Sequence, residues 1–235
     1  SAKIDWTTFG VSGSNSAKVE ISSMPTIDIN RRLQFLIQYP HGCLEQTTSG
    51  VFPQLYLADI VDMTSVQKTN IQRNVTAGIT RIANLQTSNG GFMYWPGARS
   101  SDDWGSSYAG HFLIEAEKKG YVLPINMKSK WLSYQKSEAR KWRFQTQYGN
   151  DLAQAYRLYT LALAGSADLA SMNRLRETVD ISNEAKLRLA AAYVLCGQKA
   201  AGIALLAKSR IAENASPYSY YYYGSENRNR AMTLE

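Results

Sequence analysis

The sequence predicts an all-α protein built from two layers of helices. From Asp28 onward, apolar residues recur at three- and four-residue intervals, which is the period of an amphipathic helix. Alternation typical of β-strands ends at Met24. Helices that are apolar on nearly all sides also alternate with amphipathic ones, which indicates an inner layer and a partly solvated outer layer.

The first 24 residues follow a different pattern from the rest of the chain. In the stretch FGVSGSNSAKVEISSMP, small polar residues alternate with Val11, Val19 and Ile21, and the stretch is bounded by Gly, Ser, Asn and Pro. This pattern is typical of a short strand or hairpin. We therefore expect a short β segment over 1–24, followed by a helical domain over 25–235.

A first helix is predicted after Thr26 or Asp28, either of which can cap it. Pro40 ends this helix, because proline lacks the backbone N–H that a helix interior requires. The same apolar spacing predicts eight further helices, at 43–59, 65–86, 105–119, 126–139, 150–164, 169–178, 182–196 and 199–213. Three of them are apolar nearly all round and carry a glycine at the expected C-cap: SYAGHFLIEAEKKG, LAQAYRLYTLALAG and AKLRLAAAYVLCG.

Helical hairpins that recur about every 30 to 45 residues build either an open solenoid or a closed ring. The link NLQTSNGGFMYWPG joins a Gln-rich helix end to Asn-Gly-Gly-Phe and a tryptophan, which is similar to links in toroidal families. It favours an α/α toroid, incomplete at its C-terminus. A long surface loop anchored by Phe92, Trp95 and Trp104 explains the same residues without any activity.

The net charge and the number of metal-ligating residues limit the functions that the sequence supports. The net charge of +7 comes from 26 lysines and arginines that are scattered singly or in pairs, which indicates a solvated basic face rather than nucleic-acid binding. No apolar run is long enough to span a membrane. Two histidines and two distant cysteines supply no zinc tetrad, so we expect neither a metal nor a cofactor.

The stretch YPHGCLEQTT, residues 39–48, places a cysteine three positions before a glutamine. Cys43 is expected at the start of a helix, where residues i and i+3 share one face. A thiolate there, favoured by the helix N-terminus, would attack the Gln46 carboxamide carbon, expel ammonia and leave an internal thioester. For these four residues alone, a buried cysteine beside an unrelated polar side chain explains the same pattern.

The surrounding residues resemble the thioester signature of the α2-macroglobulin and complement superfamily, Pro-x-Gly-Cys-x-Glu-Gln. The residues in register with it are Pro40, Gly42, Cys43, Glu45 and Gln46, with His41 at a variable position and Leu44 as in the bacterial form. The stretches RRLQFLIQYPHGCLEQ, VFPQLYL, NGGFMYWPG, AYRLYTLALAG and NRLRE are similar to the thioester domain of the bacterial branch. Residues 1–24 then resemble the end of the β-sandwich, CUB-like domain that precedes it.

This resemblance implies a broad-spectrum endopeptidase inhibitor that acts as a protease trap. A target protease would cut a bait segment, which this chain does not contain, and the exposed thioester would then acylate a lysine of the attacker. The implied partners are target proteases and other domains of the same full-length chain, without membrane contact by this segment. The implied chemistry is single-turnover rather than enzymatic. The implied location is the periplasm or cell envelope, with a lipid anchor on the full-length protein.

Some complement members use a later histidine to form an acyl-imidazole for hydroxyl nucleophiles. The corresponding stretch here, RFQTQYGNDL, contains no histidine, and Tyr148 is its nearest candidate to face the thioester. The resemblance therefore implies a preference for amines over hydroxyls. We expect Tyr148, Tyr39 or Trp95 to shield the bond from water. His111, in an apolar helix, and Cys196, at the end of AAAYVLCG, are expected to be core residues.

Two alternatives stay open on the sequence. A toroidal enzyme acting on an isoprenoid or glycan would need a cluster of carboxylates or a metal at the centre of the ring, and Asp102 and Asp103 are better explained as a helix N-cap with an acidic first turn. A helical scaffold that only binds protein would need neither such a cluster nor the thioester.

Overall fold

The structure is a computed structural model that describes residues 35–145 and 150–209, together with the single positions 7, 10, 11, 13, 14, 227, 230 and 231. Regular structure within these residues is helical, apart from an isolated β-bridge between Gln86 and Phe92. The predicted β segment over 1–24 lies almost wholly outside the described residues. The first predicted helix does so up to Phe35, which is helical together with Leu36.

Beyond the two helical residues Phe35 and Leu36, the described ranges contain nine α-helices and one 3₁₀ turn. The helices are α1 (Leu44–Val51), α2 (Leu57–Ile60), α3 (Ser65–Asn84), α4 (Asp103–Lys118), α5 (Met127–Lys141), α6 (Asp151–Leu163), α7 (Leu169–Glu177), α8 (Asn183–Leu195) and α9 (Lys199–Leu206), with the 3₁₀ turn at Pro53–Leu55.

Of the eight helices predicted after Pro40, six, α3 to α8, are confirmed with both ends within two residues of the prediction. The prediction of one continuous helix over 43–59 is wrong, because Pro53 has no N–H to donate and begins a 3₁₀ turn between α1 and α2. The prediction of a helix over 199–213 is too long at its described end. There α9 stops at Leu206 and tightens into i→i+3 bonds, and residues 210–213 lie outside the described residues.

The helices form an α/α toroid with an inner and an outer layer, as the sequence predicted. Along the inner layer, α1, α4, α6 and α8 pack successively against one another, and α3, α5, α7 and α9 pack outside them. The inner helix α6 is buried at every residue from Asp151 to Ala162. The glycines predicted to end α4, α6 and α8 all adopt the left-handed conformation, at Gly120, Gly165 and Gly197.

The core consists of two apolar clusters. The first surrounds α1, α3 and α4 and contains Leu44, Val51 and Trp131; the second surrounds α6 to α9 and contains Met172. Leu132 and Leu163 pack against both clusters and so connect them. Within the described ranges, no helix combines the length and the apolar character that crossing a membrane requires.

Helix α1 lies between α3 and α4 at very close range. A Cβ atom added at Gly78 of α3 would lie 2.9 Å from both methyl groups of Val51, and one added at Gly105 of α4 would lie 2.8 Å from Cδ2 of Leu44. Only glycine allows the helices to approach this closely. The packing therefore fixes the position of α1 and of the residues at its N-terminus.

The structure also tests three smaller predictions. Asp102 caps α4 and accepts the Gly105 N–H, with Asp103 in the first turn, as predicted. His111 is half-buried, with its Nδ1 3.0 Å from the Tyr156 hydroxyl, which agrees with a structural histidine. Cys196, expected in the core, is only half-buried at the C-cap of α8, because the last turn of that helix reaches the surface.

Candidate functional site

Cys43 is the N-cap of α1 and forms a reciprocal pair of hydrogen bonds with Gln46. Its backbone is extended, with φ −73° and ψ 177°, and its Sγ accepts the Gln46 backbone N–H at 3.4 Å. In return, the Cys43 backbone N–H donates to Oε1 of the Gln46 side chain at 3.1 Å. This is the geometry of a capping box, with a thiol in place of the usual hydroxyl. The thiol and the carboxamide therefore lie over the same helical turn.

Gly42 makes this arrangement possible. Its φ of +83° lies in the left-handed region, where a side chain is strained. A Cβ atom at this position would lie 2.1 Å from Oε1 of Gln46 and 2.9 Å from its Cδ. Both the turn into the helix and the position of the glutamine side chain thus require glycine at position 42.

The two side chains differ in exposure. Cys43 is buried, with 2% of its surface accessible, whereas Gln46 is exposed. A reagent in solvent therefore reaches the glutamine first. The residue after the cysteine, Leu44, is fully buried in the first apolar cluster.

Three contacts hold the backbone around Cys43 in place. Arg81 of α3 donates from Nη2 to the Gly42 carbonyl oxygen at 3.1 Å. The Leu44 N–H, which is unsatisfied within its own helix, donates to the Tyr94 carbonyl oxygen at 3.0 Å. The Thr47 hydroxyl lies 3.4 Å from the His41 carbonyl oxygen. These contacts come from α3, from the loop before α4 and from α1 itself, so the site depends on tertiary packing.

Glu45 belongs to a chain of hydrogen bonds that reaches into the ring. The Ser49 hydroxyl, one turn later on α1, donates to Oε1 of Glu45 at 2.6 Å and lies 3.2 Å from the Tyr108 hydroxyl of α4. Burial raises the pKa of Tyr108, and the nearby Glu45 charge adds to this increase against the opposing hydrogen bond with Ser49. Tyr108 therefore remains a neutral phenol near neutral pH.

An open groove of about 320 Å³ runs along the outer side of the site. Its lining includes Phe35, Leu36, Tyr39, His41, Glu45 and Gln46. Phe35 and Tyr39 are 71% and 57% exposed, so the groove presents apolar surface to solvent beside the exposed glutamine.

The structure brings most of the sequence-predicted site residues together. Pro40 is buried and lines the groove together with Tyr39 and His41, and Leu44 and Glu45 lie on α1. Trp95 is 53% exposed, and its ring contacts that of Tyr94, with centroids 6.1 Å apart. Tyr148 lies outside the described residues.

Sequence analysis missed four residues that hold the site: Arg81, Tyr94, Ser49 and Tyr108. Arg81 lies 39 positions from the Gly42 carbonyl it binds, and Tyr108 lies 59 positions from Ser49. No local pattern indicates contacts over such separations. The position of Ser49, four residues after Glu45 on one helix face, was the only available signal.

The arrangement is suited to acyl transfer. Attack on the carbonyl carbon of Gln46 moves negative charge onto Oε1, and the Cys43 N–H already donates to that oxygen. Among the described residues, no group of three His, Cys, Asp or Glu side chains is placed to hold a metal ion. The chemistry that this part of the chain offers is therefore that of a thiol and an acyl group held by backbone donors.

The chain is similar to α2-macroglobulins in both sequence and structure. The family model described as A-macroglobulin TED domain matches residues 16–151. An α2-macroglobulin of Xylella fastidiosa is 27% identical over 234 residues, which cover 93% of this chain and 14% of that protein.

Two of the similar solved structures are also α2-macroglobulins. The Salmonella protein reacted with methylamine has a TM-score of 0.75 and 27% identity, covering 90% of this chain and 15% of that one. Trypsin-activated α2-macroglobulin from Escherichia coli has a TM-score of 0.70 and 26% identity, covering 83% of this chain and 14% of that one.

Proposed function

This chain belongs to the A-macroglobulin TED domain family, as a thioester domain like those of bacterial α2-macroglobulins, and from this premise we propose that Cys43 and Gln46 form an internal thioester that captures proteases. The observation that carries the proposal is the reciprocal pair of hydrogen bonds between these two residues at the N-terminus of α1.

The bond forms from the two side chains already in contact. The Cys43 thiolate attacks Cδ of Gln46, the C–S bond forms, and the amide nitrogen leaves as ammonia after it takes up protons. The Cys43 N–H stabilises the negative charge on Oε1 during the attack. Burial of Cys43 keeps the sulfur away from water, whereas Gln46 lies at the surface of this domain, where a nucleophile can reach it once the rest of the full-length protein uncovers it.

The proposed biological role is that of a broad-spectrum endopeptidase inhibitor. A protease that cleaves the full-length protein exposes the thioester, and a surface lysine of the protease then opens it to an amide. The similar Escherichia coli protein is activated by trypsin, which supports a protease as the partner. Because an opened thioester is not regenerated, each molecule acts once and is an inhibitor rather than an enzyme.

The remaining parts of the proposal concern the rest of the protein. The chain spans 14% of the length of its Xylella relative, so the bait segment and the domains that move on cleavage belong to the full-length protein. Those domains are the second class of partner. We propose, from the resemblance of the signature residues alone, that the full-length protein lies in the periplasm or cell envelope and is held by a lipid anchor.

We expect amines rather than hydroxyl compounds to open the thioester. Amines attack thioesters without assistance, whereas hydroxyl groups need a base that removes their proton. The similar Salmonella protein reacts with methylamine, which supports the amine preference. Methylamine should therefore label the acyl group of Gln46, and glycerol at the same concentration should not.

Intact mass spectrometry tests the proposal directly. Freshly purified protein should be one ammonia lighter than its sequence predicts, and methylamine should add one methylamine while Cys43 becomes reactive toward iodoacetamide. The half-buried Cys196 would also be alkylated, so the experiment uses a Cys196→Ala background. Cys43→Ala in the same background is the matched control and should have the full sequence mass.

A sequence-perfect mass, with Cys43 alkylated from the start, would show that the bond does not form and would overturn the proposal. Preferential labelling by glycerol would overturn the amine preference alone.

A further inference from the structure

We infer that the groove beside Gln46 is a binding subsite for a lysine side chain, and that Glu45 contacts the attacking nitrogen of that lysine. The inference rests on the proposed thioester and names the feature that selects its nucleophile. It is carried by the position of one carboxylate and three exposed apolar residues among the described residues of the groove that also contains the reactive glutamine.

A lysine side chain combines an apolar stem with a cationic end, and the groove matches both parts. Phe35, Leu36 and Tyr39 form its apolar wall and are all exposed, at 71%, 38% and 57%. Among the lining residues that the structure describes, Glu45 is the one carboxylate. An aliphatic stem packed on this wall places its amine near Gln46, because Glu45 and Gln46 share the groove.

Glu45 is held in a defined position rather than free in solvent. Its side chain is half-buried, and Oε1 accepts the Ser49 hydroxyl at 2.6 Å, which in turn meets Tyr108 at 3.2 Å. Tyr108 is stabilised as a neutral phenol by its burial, so it does not add a second negative charge. Among the described residues, no hydrogen-bond donor or cation occupies the other carboxylate oxygen, Oε2.

The position of Glu45 affects the step in which positive charge develops on the attacking nitrogen. The neutral amine attacks Cδ of the thioester, the C–N bond forms, and the nitrogen becomes positive as Oε1 of the acyl group becomes negative. The Glu45 carboxylate stabilises the positive nitrogen and takes one of its protons. The C–S bond then breaks, the Cys43 thiolate leaves, and the proton passes from Glu45 to that thiolate through solvent. The products are an amide and a free thiol.

An anionic nucleophile offers the contrast that isolates Glu45. A thiolate develops no positive charge when it attacks, and the carboxylate repels it as it enters the groove. Glu45 should therefore favour amines over thiolates. Its replacement should change the ratio of the two rates in a way that general damage to the site does not.

The experiment compares Glu45→Gln with wild type in the Cys196→Ala background of the full chain. Glutamine can still accept the Ser49 hydrogen bond, so the local structure is preserved. The ammonia-deficient mass first establishes that the thioester is present. Rates of opening by methylamine and by 2-mercaptoethanol are then followed by intact mass, and we expect the amine-to-thiolate ratio to fall roughly 100-fold, the scale of proton-transfer catalysis. Glu177→Gln makes the same charge change at an exposed residue of α7 outside the groove and should leave the ratio unchanged.

The apolar wall is tested separately with amine length. Wild type should react several-fold faster with pentylamine than with methylamine, and Tyr39→Ala should remove most of this preference. If Glu45→Gln fails to form the thioester, the comparison of amine lengths still tests the lysine subsite.

The outcomes separate the two proposals. A wild-type protein without the ammonia-deficient mass would overturn the proposed function and this inference with it. An intact thioester whose amine-to-thiolate ratio is unchanged in Glu45→Gln would overturn the inference alone. Equal rates for pentylamine and methylamine in wild type would also overturn it.

Discussion

At the scale of single residues, hydrogen bonds to backbone groups hold the candidate site in position. The Cys43 N–H holds the glutamine oxygen, and the Gly42 carbonyl is held by Arg81. Gly42 itself combines a left-handed φ with a position in which any Cβ would collide with the Gln46 side chain. The reactive pair thus depends on neighbours that take no part in the chemistry.

Gly42→Ala should abolish thioester formation while the protein still folds. The added Cβ would lie 2.1 Å from Oε1 of Gln46 and would push the carboxamide away from the Cys43 N–H. The residue also favours a negative φ, which adds strain of about 1 to 2 kcal/mol. Intact mass should equal the sequence mass, and methylamine should add nothing.

Gly50→Ala is the matched control for this prediction. Gly50 lies on the same helix, α1, and a Cβ there meets nothing within 4 Å. This variant should keep the ammonia-deficient mass and the methylamine adduct. An ammonia-deficient Gly42→Ala protein would contradict the steric argument.

At the scale of secondary-structure elements, helix caps set where the inner and outer helices begin. Asp102 caps α4, Asp168 caps α7 and Ser182 caps α8, and each side chain accepts a backbone N–H of the first turn. Cys43 occupies the equivalent position on α1. The candidate reactive cysteine is therefore also a structural cap. The capping hydrogen bond from the Gln46 N–H orients its side chain.

The α7 cap predicts a pH dependence of stability. Burial acts to raise the pKa of Asp168, but hydrogen bonds from the Ser171 N–H and from Arg140 outweigh it and hold the pKa below its ordinary value of 3.8. A carboxylate with a lowered pKa stabilises the fold above its unfolded-state pKa, and this contribution is lost as the pH falls through the folded-state value.

Asp168→Asn should therefore destabilise the protein more at pH 7 than at pH 2. Asparagine still caps the helix, so the loss comes from the charge, and we expect less than about 1 kcal/mol because the Arg140 side chain is 67% exposed. Urea unfolding of both proteins at the two pH values measures the difference. A difference that stays constant with pH would contradict the assigned role of the charge.

At the scale of the whole molecule, the two apolar clusters stabilise different parts of the ring. One surrounds the helix that carries the candidate site, and the other surrounds the later helices. Helix α1 and its neighbours are packed in the first cluster, and α6 to α9 in the second. Leu132 and Leu163 join the clusters, so the described part of the chain should unfold as a unit. The buried apolar residues of α1, the helix that Cys43 caps, belong to the first cluster.

Leu44→Ala and Met172→Ala should separate stability from site geometry. Both residues are fully buried, and each truncation should lower the free energy of unfolding by about 2 to 5 kcal/mol. Leu44 follows Cys43 and packs beside Gly105, so only Leu44→Ala should also slow thioester formation. Denaturant unfolding and the time course of ammonia loss after refolding measure the two effects. If thioester formation were slowed equally in both variants, the second cluster would affect the site as much as the first, which would contradict this prediction.

Much of the molecule was predictable from its sequence, because the signals involved are local. Apolar spacing predicted the helices α3 to α8 nearly to the residue, and glycines marked the ends of α4, α6 and α8. The spacing of Cys43 and Gln46 predicted their meeting over one turn, since residues three apart on a helix face each other. Where local signals competed, the prediction failed, as at Pro53, where one expected helix is divided in three.

By itself, then, the sequence determined the helical ring and the pair of residues at its candidate site. The tertiary structure alone decided what surrounds that pair: Arg81 on the Gly42 carbonyl, Tyr108 beside Ser49, and the groove that Glu45 shares with Gln46. These contacts join residues up to 59 positions apart, and their geometry depends on how closely α1 packs between α3 and α4. A pattern within one helix carries no information about that packing, because the packing is set by side chains on several helices at once.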